Sequence, residues 1–104
     1  MAFKAIRTYT LPENSAVTFY QESIEFRTWF EENWAGGGKH ISTETSISDD
    51  GRSLTKIVTF VDHESFLEYA ASPEVRTATE TRNAYNARYM ISNVTAYELV
   101  DDEE

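Results

Sequence analysis

The chain has 104 residues, 18 acidic and 9 basic side chains and no cysteine, and its formal net charge is −9. This length fits one ordinary domain, and 40% hydrophobic residues supply a core for it. The acidic balance argues against nucleic acid and anionic lipid as partners, since both need clustered Lys and Arg, and the lack of cysteine excludes disulfides and thiolate nucleophiles.

No targeting or membrane segment is evident in the sequence. Residues 1–7 lack the apolar stretch of a signal peptide, and no stretch approaches the ~18 apolar residues of a membrane span. We therefore expect a cytoplasmic protein without membrane contact. It is predicted to fold as a single α+β domain over residues 1–100, followed by an acidic tail at residues 101–104.

The first part of the chain predicts a strand and an aromatic helix. Apolar and polar residues alternate over Phe3–Leu11, which predicts a strand. The β-prone segment Ala16–Tyr20 is compatible with a short strand or with an irregular entry into the next helix. That helix begins after the N-cap Ser23 and ends at Gly36-Gly37-Gly38. Its apolar face is aromatic and consists of Phe26, Trp29, Phe30 and Trp34.

A hairpin is predicted next. Alternating residues over Ile41–Ile47 and a second run over Leu54–Val61 flank Asp49-Asp50-Gly51, whose turn chemistry predicts a positive φ at Gly51. The returning strand carries apolar residues on both faces, so we expect it to be central in its sheet.

A second helical region and a last strand complete the chain. Asp62 is predicted to cap the helix, and Ser72-Pro73 is predicted to interrupt it with a fresh N-cap. The helix ends at Ser92-Asn93, and Val94–Val100 forms the last strand.

The order β-α-β-β-α-β predicts an α+β ferredoxin-like fold, with an antiparallel sheet and two helices on one face. The first and third strands are then central, and both carry apolar residues on the face that the helices leave open. A second copy of the chain would cover this face, so we expect a homodimer.

In this order of elements, the segment Phe60–Tyr69 with Ser72-Pro73-Glu74, and the last strand with Tyr97-Glu98-Leu99, resemble the dimeric α+β-barrel superfamily. Antibiotic-biosynthesis-monooxygenase-like proteins belong to it. The resemblance implies two sheets packed face to face in a homodimer. Its haem-degrading members use an asparagine on the first strand, a tryptophan and a helix histidine. Phe3–Leu11 contains no asparagine and both tryptophans are on the first helix, so we do not expect haem degradation. No cofactor is predicted. Its cofactor-independent monooxygenases use polar and aromatic groups in a pocket between sheet and helices.

Arg82 is the most unusual residue of the second helical region. It lies on an apolar seam and needs carboxylate or carbonyl acceptors, because an unpaired buried guanidinium costs several kcal/mol. One alternative is a structural pair with a glutamate. The other is a site for an anionic ligand, whose candidate residues are Arg82, Tyr85, Asn86 and Tyr89.

The two histidines, His40 and His63, are the remaining candidates. His63 starts the second helix and is either an exposed first-turn residue or a further ligand-binding residue. Spacing alone does not bring enough other ligands to either histidine for a metal ion, so no metal site is predicted.

No motif specifies a reaction. The absence of a convergent acid and base and the acidic surface favour a small accessory or binding protein, with a protein partner or a small molecule as its ligand. The alternative is a cofactor-independent monooxygenase-like or isomerase-like enzyme acting on a small molecule in the pocket between sheet and helices. A pocket of several hundred Å³ lined by Tyr and Arg would favour the enzyme.

Overall fold

Four antiparallel strands form one sheet in the computed structural model, which describes residues 1–100. The sheet order is β2-β3-β1-β4, so β1 and β3 are central as predicted. The predicted acidic tail lies outside the described residues. The strands are β1 Ala2–Thr10, β2 His40–Ile47, β3 Ser53–Phe60 and β4 Ser92–Val100.

Three helices accompany the sheet, α1 Ile24–Asn33, α2 His63–Ala71 and α3 Pro73–Arg88. The predicted caps of α1 and α2 are confirmed, since the Phe26 N–H donates to Ser23 Oγ at 3.1 Å and the Ser65 N–H donates to Asp62 Oδ1 at 2.8 Å. The predicted interruption of the second helix is confirmed as well. Ser72 is extended and Pro73 is the first residue of α3, because proline has no N–H to continue the preceding helix. None of the helices in this part of the chain is long and apolar enough to cross a membrane.

The connections settle two further points. Gly51 has a φ of +74° and its N–H donates to the Ser48 carbonyl at 2.9 Å, which confirms the predicted turn. Residues 11–23 form no strand, so they are the irregular entry into α1. Tyr85 of α3 holds this segment in place, because its hydroxyl donates to the Thr18 carbonyl at 2.8 Å.

The apolar core lies at one end of the space between sheet and helices. Phe3 and Phe60 are opposite each other on β1 and β3, and Phe60 is fully buried. The Phe60 ring lies 5.2 Å from Tyr69, 5.6 Å from Phe66 and 6.2 Å from Trp34 between ring centroids. These large rings pack where β1 begins and β3 ends. The other end of the same sheet face therefore lies outside this aromatic core.

The outward face of the sheet carries apolar side chains at its centre. Ile6 of β1 is opposite Ile57 of β3, and both are half-buried. Val94 of the edge strand β4 is on the same face and is 64% exposed. The prediction of central strands with two apolar faces is therefore confirmed.

Candidate functional site

A polar space lies between the sheet and the helices, beyond the apolar core. An inner cavity of about 70 Å³ is bounded by β1, β3, the end of the irregular segment and the three helices. Its polar lining consists of Arg7, Tyr9, Glu22, Lys56, Tyr69, Thr79 and Arg82, and its apolar lining includes Ala5, Val58, Phe60 and Phe66. The interior is thus neither filled nor wholly apolar.

A wider outer cleft of about 520 Å³ adjoins this cavity and shares Tyr9, Glu22, Lys56 and Arg82 with it. Its volume falls in the range of sites for small molecules. The remaining wall combines aromatic and aliphatic residues with polar ones. The first group is Phe19, Tyr20, Ile47 and Leu54, and the second is Thr18, Gln21, Arg27, Thr45 and Asn86. A pocket of several hundred Å³ with Tyr and Arg in its lining is therefore present, and this favours the enzyme alternative.

Two cations of the inner cavity come from adjacent strands. Arg7 is directly opposite Lys56 in the β1–β3 register, and both side chains point to the helix side of the sheet. Opposite residues of an antiparallel pair have Cβ atoms about 4.5–5.5 Å apart, and like charges there destabilise the sheet. Burial lowers the pKa of Lys56, against the opposing effect of Glu22. This pairing therefore works against stability.

A third cation, Arg82, enters from α3. Its guanidinium carbon lies 5.9 Å from the centre of the Tyr9 ring, and its Nη2 donates a long hydrogen bond of 3.3 Å to Asn83 Oδ1. Within residues 1–100 no carboxylate oxygen lies within 4.0 Å of Arg82, and its Nε is buried without a hydrogen-bond partner. Of the two alternatives for Arg82, the structural pair with a glutamate is thus not found in this part of the chain.

Among residues 1–100, Glu22 is the only acid in the lining of the inner cavity. It lies at the end of the irregular segment, immediately before the α1 cap. Its Oε1 is buried and has no hydrogen-bond partner among residues 1–100, nor does any Lys or Arg nitrogen there approach it within 4.0 Å. Burial raises the pKa of Glu22, while Lys56 and Arg82 oppose that effect. A carboxylate in this state is suited to accept a proton.

Two tyrosines and Thr79 complete the polar lining. Burial raises the pKa of Tyr69 to about 12, and burial also raises the pKa of Tyr9. Both phenols therefore keep their protons at neutral pH. They are hydrogen-bond donors for a bound molecule and not bases.

The structure brings together two of the residues predicted from the sequence to bind a ligand. Arg82 and the buried Asn86 both line the outer cleft. Tyr85 and Tyr89 are not among its lining residues. Tyr85 instead packs against the irregular segment. Its ring lies 5.4 Å from that of Tyr20, a residue of the cleft wall, and 4.7 Å from that of Tyr89. A direct role of these two tyrosines in binding stays a prediction.

The histidines lie elsewhere. His63 is exposed at the start of α2, with its ring 4.6 Å from Phe3, and it lines neither the inner cavity nor the outer cleft. Its predicted role in ligand binding stays a prediction. His40 Nε2 lies 2.8 Å from Thr43 Oγ1, and burial lowers the pKa of this imidazole. Residues 1–100 contain no group of three or more His, Asp or Glu side chains placed to hold a metal ion.

Six residues of the polar lining were not singled out as site residues from the sequence: Arg7, Tyr9, Glu22, Lys56, Tyr69 and Thr79. Two of them left a signal there. The apolar series on β1 runs Phe3, Ala5, Tyr9 and skips Arg7, and the series on β3 skips Lys56 in the same way. A charged residue at an inward position of a central strand indicates either a buried partner or a site. Glu22 left no such signal, because its segment has no regular pattern.

Comparison with solved structures identifies similar folds. SnoaB, a cofactor-independent oxygenase from Streptomyces nogalater, superimposes with a TM-score of 0.61 at 13% identity, over 98% of this chain and 95% of that one. A protein from Deinococcus radiodurans described as an antibiotic biosynthesis monooxygenase gives a TM-score of 0.58 at 7% identity over the same shares of the two chains. An ethyl tert-butyl ether D family protein from Bacillus halodurans gives 0.54 at 16% identity, over 95% of this chain and 100% of that one.

Sequence comparison is less informative. No protein-family model matches the chain, and comparison with curated protein sequences finds no match. At 7–16% identity the structural likeness shows the fold and no activity. It confirms the resemblance inferred from the sequence: the chain has the α+β ferredoxin-like fold of the antibiotic-biosynthesis-monooxygenase-like proteins.

Proposed function

We propose that the chain is an enzyme that removes a proton from a small organic molecule bound in the outer cleft. The observation that supports this most is the buried, unpartnered Glu22 carboxylate at the border between the inner cavity and the outer cleft. The accessory-protein hypothesis rested on the lack of a convergent acid and base in the sequence. Glu22, Lys56 and Arg82 are such a convergent set, so the enzyme is the better-supported alternative.

The chemistry follows from the charges that surround Glu22. A carboxylate with a raised pKa is an effective base for a C–H next to a carbonyl or for a phenolic O–H. Once the proton moves to Glu22, the substrate becomes an enolate or phenolate with negative charge on oxygen. Lys56 and Arg82 border the same space and stabilise that charge as it develops. The base and its oxyanion-stabilising groups thus belong to one site.

The second substrate of the proposed reaction is dioxygen. An electron-rich carbanion reacts with dioxygen to form a new C–O bond, and loss of the second C–H proton with cleavage of the O–O bond expels hydroxide. The sum is R₂CH₂ + O₂ → R₂C=O + H₂O, in which the substrate carbon is oxidised and dioxygen is reduced without a cofactor. The fold shared with SnoaB, which is described as a cofactor-independent oxygenase, supports this course. Return of the proton to another carbon would make the protein an isomerase instead.

The test separates proton removal from oxygenation. 2-Tetralone, a small bicyclic enolisable ketone, is incubated with the protein in D₂O, and deuterium exchange is followed by NMR without oxygen while an oxygen electrode follows dioxygen uptake. We expect faster exchange with the native protein and a loss of about 100-fold or more of that acceleration in Glu22→Gln. The matched control is Glu31→Gln, because Glu31 is exposed on α1 and lies outside the site.

The outcomes are distinct. Exchange with dioxygen uptake supports the oxygenase, whereas exchange without uptake supports the isomerase. Equal exchange rates for the native protein and Glu22→Gln would contradict the role of Glu22. If the native protein did not accelerate deuterium exchange, an accessory or binding protein would be the better-supported hypothesis.

We also propose that the protein is a homodimer, with a second copy covering the outward face of the sheet. Ile6 and Ile57 at the centre of that face and the 64% exposed Val94 at its edge support this assembly. Light scattering at micromolar concentration is expected to give twice the mass of one chain. A monomer mass would contradict the proposal.

A further inference from the structure

The charge of the inner cavity is opposite in sign to that of the chain. Among residues 1–100, three cations, Arg7, Lys56 and Arg82, and one acid, Glu22, line it, so the formal charge of this lining is 3 − 1 = +2. The whole chain carries −9 and has only nine basic residues, of which these three are one third. A solvated, solubilising surface does not explain this concentration of positive charge inside an acidic protein.

The protein itself leaves these cations without full partners. The Nε atoms of Arg7 and Arg82 are buried and have no hydrogen-bond partner among residues 1–100. In this part of the chain the ion pairs within 4.0 Å are Lys39–Glu68 and Arg52–Glu13, and neither includes a residue of the inner cavity. A buried donor without an acceptor costs free energy, which an anionic ligand would recover.

The two spaces differ in what they have room for. A water molecule needs about 10–15 Å³ of cavity volume, so the inner cavity of about 70 Å³ has room for a small group such as a carboxylate. The outer cleft, at about 520 Å³, takes a body of one or two rings. Phe19, Tyr20, Ile47 and Leu54 offer that body aromatic and aliphatic contacts.

We propose that the ligand is an organic anion whose carboxylate lies among Arg7, Lys56 and Arg82 in the inner cavity and whose apolar ring system lies in the outer cleft. This names the substrate class of the same site and rests on the proposed function. Glu22 lines both spaces, so it borders the atom that joins the carboxylate to the ring system. The proton that Glu22 removes is then on that atom or next to it.

The binding test uses a pair of probes that differ in charge and hardly in shape, 2-naphthoate and 2-naphthamide. Isothermal titration calorimetry is expected to give an affinity about tenfold or more higher for the naphthoate, because hydrogen bonds to charged groups are the stronger ones. Lys56→Gln and, independently, Arg7→Gln are expected to lower naphthoate affinity about tenfold and to leave naphthamide affinity unchanged. The matched control is Arg88→Gln, since Arg88 is an exposed cation of α3 outside the cavity.

Equal affinities for the two probes, or a loss in Arg88→Gln as large as that in Lys56→Gln, would overturn the anion site. Glu22→Gln separates this proposal from the catalytic one, because it removes the proposed base and leaves all three cations. We expect it to keep selective naphthoate binding. Selective binding together with exchange of 2-tetralone that does not depend on Glu22 would refute the proposed function alone. Exchange that depends on Glu22 without selective binding would refute the anion site alone.

Discussion

Replacement of Arg82 by methionine distinguishes a ligand site from a structural ion pair by the sign of its effect. Methionine keeps most of the apolar stem that packs between α3 and the sheet and removes the guanidinium. If Arg82 neutralised a buried carboxylate, the change would leave an unpaired acid and lower stability by about 3 kcal/mol. No such carboxylate lies within 4.0 Å of Arg82 in residues 1–100, so we expect the opposite sign.

The magnitude follows from the contacts of Arg82. Its buried, unpartnered Nε carries a desolvation cost of about 1–3 kcal/mol, which the substitution removes together with repulsion from Arg7 and Lys56. The substitution also loses the cation–π contact with Tyr9, worth about 0.5–1 kcal/mol, and the attraction to Glu22. The difference is a gain of about 1 kcal/mol, which for a domain of this size raises Tm by roughly 4–8 °C.

Urea and thermal unfolding of the native protein and Arg82→Met measure this difference, with Arg88→Met as the matched change on the exposed part of the same helix. Naphthoate affinity, measured on the same samples, is expected to fall while stability rises. A loss of about 3 kcal/mol in Arg82→Met would show that the guanidinium is a structural partner and would refute this reasoning.

Two further predictions concern the turn and a helix cap. Gly51→Val is expected to lower stability by about 1 kcal/mol or more in urea unfolding, because a β-branched residue is strained at a φ of +74° although its Cβ would meet no atom within 4 Å. Gly51→Asn is its control and should lose less, and an unchanged midpoint for the valine variant would contradict the turn. The hydrogen bond from the Ser65 N–H lowers the pKa of Asp62 below its ordinary value of 3.8. The ionised carboxylate therefore stabilises the fold above pH 3.8, and this stabilisation is lost as the pH falls through the lowered pKa. Asp62→Asn should therefore be less stable than the native protein at neutral pH and equally stable well below pH 3.8, and a difference that persists in acid would count against this cap.

The order and type of the elements were determined by local signals in the sequence. Period-two alternation marked the strands, and the side chains of Ser23 and Asp62 marked the helix starts through hydrogen bonds to backbone groups three residues away. Pro73 interrupted the helix because it lacks an N–H, and Gly51 took the left-handed conformation of the turn. Each of these effects acts within a few residues of the chain, so it is visible before any tertiary contact is known.

The candidate site depends on contacts between residues far apart in the chain. Arg7 and Lys56 interrupt the apolar series of their strands, but only the β1–β3 register places them side by side, 49 residues apart in sequence. Glu22 follows a segment without a regular pattern, whose path is set by the Tyr85 hydrogen bond to Thr18, 67 residues away. Whether Arg82 has a carboxylate partner is decided by the same packing. Strand register and loop path follow from the packing of the whole domain and not from local propensity, so the charge of the inner cavity was decided by the tertiary structure.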